Sequence, residues 1–300
     1  MDFLPLVFLN AVCDLLDKEN LGNLKKIRSR WSSNATVHHS KRRNVAVYLE
    51  ANRDGTQILI KIKDDVRGSV PFDVDPKYDR IRHIHVLCYQ EHLTRERGAW
   101  RSMESFKKKA LPMLKALMVQ CDLSFEHSFE FFSLFIHRNL ADSIFEGLYD
   151  SEQLKMISTE NYGGRCVGFI QHQIDLGQVE KLYLDGEEDW PETLKTSLNS
   201  FLKSPRFEKL VFGSNLTLDF DMARCFVDRF IRGELIGAHF SGTASFPLSR
   251  LKDFYSRSVH NVPCASNEMR LDGPNGILLV FNQQFLSLNV VSPQNWTWNP

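Results

Sequence analysis

Two segments of this chain carry the same short apolar pattern, one beginning at position 179 and the other at position 207, and this offset of 28 strongly limits the folds open to it. Both segments contain Glu-Lys-Leu and have the apolar alternation of β-strands: VEKLYLDG at 179–186 and FEKLVFGS at 207–214. The same offset extends to both sides and predicts four strands in register. It aligns Leu154 and Met156 with Leu182 and Leu184, and it aligns Leu210 and Phe212 with Ala238 and Phe240.

Helical patterns lie between these predicted strands. The segments 191–204 and 218–235 repeat apolar residues at intervals of three and four. A strand followed by a helix, repeated at this offset, falls within the range of leucine-rich repeats, whose strands pair in parallel. The LxxLxLxxN consensus is absent. We therefore predict an α/β fold with irregular leucine-rich-repeat-like units and a parallel sheet, over about 80–260 and clearest at 150–245.

The segments before these units predict a hairpin, a strand and two helices. Asp54-Gly55 stands between two alternating runs and predicts a β-hairpin over about 43–64. The segment 80–90 predicts a strand, and 103–120 predicts a helix that is kinked or split at Pro112. A phenylalanine-rich helix is predicted over about 126–145.

Two further segments have simple interpretations. The segments 268–273 and 276–291 predict closing strands, over about 267–292, that cover the edge of the sheet. Residues 34–44 are polar and basic, which favours a solvated linker or an exposed edge. A nuclear-import or phosphate-binding patch at 41–43 is the less favoured alternative, because three charges are fewer than the usual basic cluster.

Composition restricts the partners and the compartment. Lys+Arg and Asp+Glu both number 37, so no global charge draws the chain to nucleic acid or to an anionic membrane. No apolar run reaches the length of a membrane span. The six cysteines form no CxxC pair and indicate reduced thiols. We expect a soluble protein of the cytoplasm or nucleus that binds neither nucleic acid nor membrane.

No complete catalytic, nucleotide or metal motif is present, so we expect a binding protein with no cofactor and no metal, not an enzyme. His83 and His85 share one face of the predicted strand and could ligate a metal, but an exposed strand face is the favoured interpretation. Cys166 and Cys225 lie in helical patterns and are interpreted as packing residues. An enzyme with an unrecognised site is the least favoured hypothesis.

The N-terminal segment 3–31 predicts two short helices. Apolar residues recur at helical spacing within 3–16, and Pro5 suits a first helical turn. The polar break at 17–20 supplies capping side chains before a second helix that ends near Trp31. Helices this short bury little area alone, so they need a partner or the rest of the chain.

The order of these N-terminal residues resembles the first two-thirds of an F-box, which reads as Leu-Pro, an amphipathic helix, an acidic break, Leu-xx-Leu, a basic residue, Ser and Trp. The matching residues are Leu4-Pro5, Phe8, Val12, Leu15-Leu16, Asp17, Leu21, Leu24, Lys25, Ile27, Ser29 and Trp31. With a repeat body behind it, the chain resembles the lineage-expanded nematode F-box families. The resemblance covers 4–31 directly and implies an F-box-like module over 1–36 and an α/β body over 37–300.

The resemblance implies a non-catalytic substrate-recognition subunit of a ubiquitin ligase. The F-box helices would dock on a Skp-type adaptor of a cullin-RING ligase, and the body would capture a target protein. The implied adaptor contacts are Leu4, Pro5, Phe8 and Leu9. The implied packing residues are Val12, Leu15, Leu16, Leu21, Leu24, Ile27 and Trp31. The family usually continues into a third helix with an apolar face, whereas 32–44 offers only Ala35 and Val37, which puts the adaptor contact in question.

Target binding is expected on the strand surface, because aromatic and charged groups at strand ends often supply binding energy. The candidate residues are Tyr183, Asp185, Glu187, Glu188 and Trp190. The alternative is a repeat scaffold that binds a protein without any adaptor. In that interpretation the N-terminal helices pack on the body as its terminal cap.

Overall fold

The computed structural model describes residues 4–27, 29–64, 68–70, 74–88, 99–126, 136–186, 188–213, 215–255, 268–282 and 285–292. Within these ranges fourteen strands form one mixed sheet. The strands are β1 (Arg43–Ala51), β2 (Gln57–Asp64), β3 (Gly68–Val70), β4 (Asp79–Leu87), β5 (Ala99–Ser102), β6 (Met118–Glu126), β7 (Leu154–Glu160), β8 (Lys181–Asp185), β9 (Lys209–Phe212), β10 (Thr217–Leu218), β11 (His239–Ala244), β12 (Glu268–Gly273), β13 (Gly276–Asn282) and β14 (Leu286–Val291).

Helices precede the sheet and connect most of its strands. They are α1 (Leu6–Leu15), α2 (Lys18–Leu24), α3 (Arg30–Lys41), α4 (Met103–Ser105), α5 (Leu111–Leu117), α6 (Arg138–Gly147), α7 (Cys166–Leu176), α8 (Thr193–Leu202), α9 (Phe220–Ile231) and α10 (Leu248–Phe254). A π-helical stretch, Phe106–Ala110, joins α4 to α5 just ahead of Pro112, so the irregularity predicted in this helix is present.

The sheet as a whole is mixed, whereas the sequence predicts a parallel sheet for the repeat-like units. Its central strands run in parallel in the order β1-β4-β6-β7-β8-β9-β11. Antiparallel pairs extend it at both ends: β2 pairs with β1, and β14, β13 and β12 follow β11. Crossover connections suit the parallel part, and short turns suit the antiparallel ends.

The four segments that share the repeat offset are neighbouring parallel strands, β7, β8, β9 and β11. The offset itself holds only in the middle, where Leu182 lies beside Leu210. Ile157, not Leu154, lies beside Leu182, and Phe240, not Ala238, lies beside Leu210. The predicted register is therefore wrong at both outer pairs, because the connections between strands differ in length.

The predicted hairpin is present. Strands β1 and β2 pair antiparallel from Val45–Asp64 to Ala51–Ile58. Gly55 has φ +67°, a conformation that glycine adopts without strain, and the Asn52 side chain accepts hydrogen bonds from the N–H groups of Thr56 and Gln57, both at 2.9 Å. The turn residues thus fix the pairing of the two strands.

Phenylalanine side chains join the helices to one face of the sheet. Phe125 on β6 lies 5.1 Å, centroid to centroid, from Phe145 on α6, which lies 5.0 Å from Phe169 on α7. Phe226 on α9 lies 6.0 Å from Phe240 on β11. Each of these rings is buried, so phenylalanine, the abundant aromatic of this sequence, supplies much of the core between helices and sheet.

Two helical predictions need correction. Residues 118–126 form strand β6, although the sequence pattern predicts one helix over 103–120 and another over 126–145. The later part of the second prediction is helical as α6, and residues 127–135 lie outside the described ranges. The alternation of buried and part-exposed residues along β6 shows why a strand forms here: its apolar side chains are needed on one face only.

The N-terminal prediction also changes. The second helix ends at Leu24, not near Trp31, and α3 begins at Arg30. Residues 34–41 belong to α3, so they are neither a linker nor a sheet edge, and the boundary predicted between 36 and 37 falls inside this helix. Ser29 caps α3 by accepting a hydrogen bond from the Trp31 N–H at 3.3 Å. Cys13, Leu21 and Ala35 form the small core of the three helices.

Candidate functional site

Helix α1 carries two apolar faces, and only one of them is buried. Leu9 and Cys13, one helical turn apart, face the interior and are 2% and 0% exposed. Val7, Ala11 and Leu15 follow one another at the same spacing on the opposite side, with Phe8 beside them. Val7 is 80% exposed, Leu15 83% and Phe8 49%, and Ala11 is also exposed. We call Val7, Phe8, Ala11 and Leu15 the outer face of α1.

The exposure of the N-terminal residues differs in part from what the F-box resemblance implies. Leu9, an expected adaptor contact, is buried, whereas Leu15 and Ile27, expected to pack, are exposed at 83% and 53%. Leu21 is fully buried, and the remaining packing candidates are partly buried: Val12, Leu16, Leu24 and Trp31. Pro5 is exposed and Leu4 is partly exposed. Leu6, which is 62% exposed, is an apolar surface residue that the resemblance does not single out.

Two buried arginines hold the end of α1 against the sheet. An Arg42 Nη2–H donates to the carbonyl oxygen of Cys13 at 2.6 Å and lies 3.4 Å from that of Asp14. Arg80 on β4 donates to the Asp14 carbonyl at 2.6 Å. These carbonyls end α1 and lack partners within the helix, so the cations also meet the negative end of its dipole. Burial is the main cause that lowers the pKa of Arg42 to about 10, and the neighbouring Arg80 charge acts in the same direction.

The face of the sheet opposite the helices α5–α10 is a second candidate surface, which we call the open face. Along β6, β7 and β8, alternate side chains are buried on the helical side while those between them stay partly or fully exposed. Register places Ser124, Ser158, Tyr183, Val211 and Ser241 side by side across five strands. The result is a shallow floor of mostly small side chains.

Aromatic rings border this floor at β1 and β4. Tyr48 stacks on His85 with ring centroids 4.7 Å apart, and the His83 ring is stacked with its centroid 5.9 Å from that of His85. The two histidines do share one strand face, as the sequence predicts. Among the described residues no group of three or more His, Cys, Asp or Glu could hold a metal ion.

The Ser124–His85–Glu126 group contains the side chains of a hydrolase triad but not its geometry. His85 Nδ1 lies 2.9 Å from Ser124 Oγ and 2.5 Å from Glu126 Oε1. In a triad the hydroxyl meets one ring nitrogen of the histidine and the carboxylate meets the other nitrogen. The imidazole then accepts the hydroxyl proton while the carboxylate holds the ring in place. Because both groups meet the same nitrogen, this cluster suits binding and strand pairing better than nucleophilic catalysis.

The candidate target-binding residues divide into two groups. Tyr183 lies on the open face, Asp185 ends β8 and is exposed, and Glu188 is exposed. Trp190, expected at the surface, is only 7% exposed, and its Nε1–H donates to the Asp185 carbonyl at 3.1 Å. Its ring therefore holds the turn after β8 and offers little contact area. Glu187 lies outside the described residues.

Sequence reasoning missed several open-face residues: Tyr48, Asp122, Ser124, Glu126 and Glu160. The alternating pattern of CDLSFE at 121–126 is a strand signal that would have placed three of them on one face. It was hidden by the helical pattern that precedes it without any break.

A shallow groove of about 420 Å³ lies beside α9, lined by Lys203, Asp221, Arg224, Cys225, Asp228, Arg229, Arg232 and Glu234. Its charges largely neutralise one another. Arg229 pairs with Glu234 at 2.9 Å and also donates to the Leu202 carbonyl that ends α8. Arg224 pairs with Asp228 at 3.5 Å. The contact of Arg229 with Leu202 connects α9 to α8, so we interpret the groove as part of the helix packing.

Comparisons of the chain with models of protein families, with curated proteins and with solved structures give no match. In the part of the chain that the structure describes, no helix is long and apolar enough to cross a membrane.

Proposed function

We propose that this protein is a substrate-recognition subunit of a Skp-cullin-F-box type ubiquitin ligase. Its three N-terminal helices dock on the Skp-type adaptor, and its leucine-rich-repeat-like body binds the target protein. The chain itself performs no bond chemistry in this role.

The outer face of α1 carries the proposal. A helix that is apolar on all sides is normally buried on all sides, because exposed apolar area is unfavourable in water. Val7 and Leu15 nevertheless stay more than three-quarters exposed, at 80% and 83%. An exposed apolar ridge of this kind, with anchors one helical turn apart, suits a groove on a partner. Contiguous exposed apolar side chains commonly mark such interfaces.

The helices around α1 support the same assignment. The F-box resemblance implies three helices, and the chain begins with three helices, α1, α2 and α3, although the α3 sequence has little apolar periodicity. Phe8 on α1 meets Trp31 on α3 edge-to-face, with centroids 6.3 Å apart. The inner core of Cys13, Leu21 and Ala35 leaves the outer side chains of α1 for a partner.

Binding of the purified full-length protein to a purified Skp-type adaptor tests the proposal. We expect saturable binding that weakens by about tenfold or more in Val7→Ala/Phe8→Ala/Leu15→Ala, because central apolar anchors dominate such interfaces. Val7 and Leu15 are largely exposed, and Phe8 is half-exposed beside Trp31. The triple variant should therefore keep its fold, which circular dichroism can verify.

The matched control removes exposed apolar side chains from other parts of the chain. Ile231, Ile236 and Phe285 are 38%, 73% and 48% exposed. Ile231→Ala/Ile236→Ala/Phe285→Ala should bind the adaptor like the wild type. Equal losses in both variants, or no binding by a well-folded wild type, would contradict the proposal.

One observation favours the alternative, an adaptor-free repeat scaffold. Arg42 and Arg80 tie α1 to the sheet through the Cys13 and Asp14 carbonyls, as expected of helices that cap a repeat body. A cap has no need of an apolar outer face, however. The two functions therefore differ in one measurable property. Removal of the Val7 and Leu15 side chains weakens adaptor binding by a ligase subunit, whereas an adaptor-free scaffold has no adaptor binding to lose.

A further inference from the structure

A histidine of the open face, His239 on β11, lies between a hydroxyl and an amide. Its Nε2 atom is 2.9 Å from Ser241 Oγ, and its Nδ1 atom contacts the side-chain oxygen of Asn289 on β14. Because an amide oxygen only accepts hydrogen bonds, Nδ1 carries the imidazole proton and Nε2 accepts the Ser241 hydroxyl proton. The hydroxyl and the orienting group thus meet different ring nitrogens, which is the arrangement that nucleophilic catalysis requires.

The surroundings of His239 leave its imidazole able to accept a proton. Burial is the main cause that lowers the pKa of His239, the hydrogen bond with Asn289 opposes this change, and the charge of Lys209 lowers the pKa further. Lys209 lies beside His239 in the register of β9 and β11. The imidazole is therefore neutral at pH 7, as a general base must be.

A second serine lies next to the first, on β14. Ser287 is directly opposite Ser241 in the antiparallel pair. Side chains at such positions are about 5 Å apart, so both can contact one carbonyl group that lies between them. Asn289 Nδ2 donates to Ser287 Oγ at 2.8 Å, which leaves the Ser287 hydroxyl proton for donation to a developing oxyanion. With His239, these partly exposed side chains form what we call the β11–β14 cluster.

Apolar side chains border the β11–β14 cluster on both sides. Val211 on β9 lies beside Ser241. On the other side, Leu279 and Phe281 of β13 lie opposite the β14 residues of the cluster. All three apolar side chains are partly exposed. An uncharged ester with an apolar acyl group fits this surface, because a charged acyl group would lose hydration against these side chains.

We propose that the β11–β14 cluster is an esterase site, with Ser241 as the nucleophile and His239 as the general base. Ser241 Oγ bonds to the ester carbonyl carbon while its proton passes to His239 Nε2. The bond from that carbon to the alcohol oxygen then breaks, and His239 gives the proton to the leaving alcohol. Water attacks the acyl carbon and releases the acid, and His239 carries a proton of the water to Ser241 Oγ. Ser287 donates to the oxyanion, and Asn289 positions His239 and Ser287.

The esterase site is separate from the ligase role and does not involve α1. An esterase activity departs from the expectation, drawn from the absence of sequence motifs, that the chain is not an enzyme. The site has no short motif because Asn289 follows His239 by 50 positions. An amide stabilises the imidazolium less than a carboxylate does, so we expect slow turnover in which the acyl-enzyme accumulates.

The first probe is p-nitrophenyl butyrate, with p-nitrophenol release by the purified full-length chain followed over time. We expect a burst of about one equivalent per chain and then slow release. The second probe is an alkyl fluorophosphonate, which phosphonylates activated serines. It should form one adduct, which peptide mass spectrometry should locate on Ser241.

Variants of the cluster separate the roles of its residues. Ser241→Ala should lose the burst and the adduct. His239→Gln should slow adduct formation by about a hundredfold, the usual contribution of a general base. Asn289→Ala should slow it by about tenfold or more, whereas Asn289→Asp keeps an acceptor for Nδ1 and should restore most of the rate.

Ser124→Ala is the matched control. Ser124 also contacts a histidine of the open face, but at the nitrogen that a carboxylate already meets. This variant should give the burst and the adduct of the wild type. Equal losses in Ser124→Ala and Ser241→Ala, an adduct on another serine, or no adduct on a wild type that is folded by circular dichroism would overturn the proposal. Adaptor binding is measured separately, so failure of either proposal is recognised independently.

Discussion

Burial controls the chemistry of the cysteine side chains. Cys121 and Cys166 are fully buried, and desolvation raises the pKa of both thiols, that of Cys166 to about 12. Cys166 Sγ–H donates to the Glu160 carbonyl at 3.3 Å, a contact that the protonated thiol alone can make. Cys225 is partly exposed on α9, and burial raises its pKa as well. The five cysteines in the described ranges form no disulfide.

The raised pKa of Cys166 predicts a pH dependence of stability. The folded-state pKa of about 12 exceeds the ordinary value of 9.0, so the contribution of Cys166 is fully present below pH 9 and declines as pH rises towards 12. The free energy of unfolding, measured in urea on both sides of pH 9, should fall less steeply with pH in Cys166→Ala than in the wild type. Cys225→Ala is the control and should retain more of the wild-type slope. An unchanged slope in Cys166→Ala would contradict the assignment.

Leu9 and Leu15 show that the sequence alone does not predict which apolar residues of α1 are buried. Both are leucines on α1, and the apolar residues of this helix surround its axis, so periodicity alone does not choose the buried side. The choice depends on tertiary contacts, namely where Leu21 and Ala35 meet Cys13. Trp190 is buried, although the sequence predicts an exposed residue, for a similar reason: its indole N–H donates to the Asp185 carbonyl, and this contact holds the ring in the interior.

At the scale of elements, Arg42 joins α1 to the sheet. It is 1% exposed, follows α3 directly and reaches the carbonyl end of α1. Arg42→Ala would leave the Cys13 carbonyl without this donor in a buried position. We expect a loss of about 2–4 kcal/mol in the free energy of unfolding, or separate melting of the N-terminal helices.

Urea unfolding and limited proteolysis within 4–41 measure this effect. Arg42→Lys retains the charge but lacks the planar fork, so it should recover only part of the loss. Arg53→Ala, at an exposed position in the β1–β2 turn, is the control and should change stability by less than about 0.5 kcal/mol. Wild-type stability and proteolysis in Arg42→Ala would show that the joint does not depend on this side chain.

Some elements could be predicted from the sequence because their signals are local. The β1–β2 hairpin follows from Asp54-Gly55, and α8 and α9 follow from apolar periodicity. Helix α3 could not be predicted in this way, since its polar sequence is held by the Ser29 cap and by packing of Ala35. Strand β6 follows α5 without a turn signal, so the change from helix to strand depends on its pairing with β4 and β7.

At the scale of the whole molecule, the repeat offset identified four neighbouring strands but not the extent of the sheet. The parallel order continues through β6, β4 and β1, whose connections are too irregular in length to give a repeat. The antiparallel ends form from hairpins and meet the parallel strands at β1 and β11. As proposed, the outer face of α1 binds the adaptor, and the repeat-like body binds the target at a separate surface.

Hydrogen–deuterium exchange of the full chain, with and without a Skp-type adaptor, tests this division most directly. If α1 is the docking element, peptides within 4–27 will exchange more slowly in the complex, while those from β6 to β9 will exchange at the rate of the free protein. Slower exchange confined to the sheet, or no change within α1 at saturating adaptor, would contradict the account.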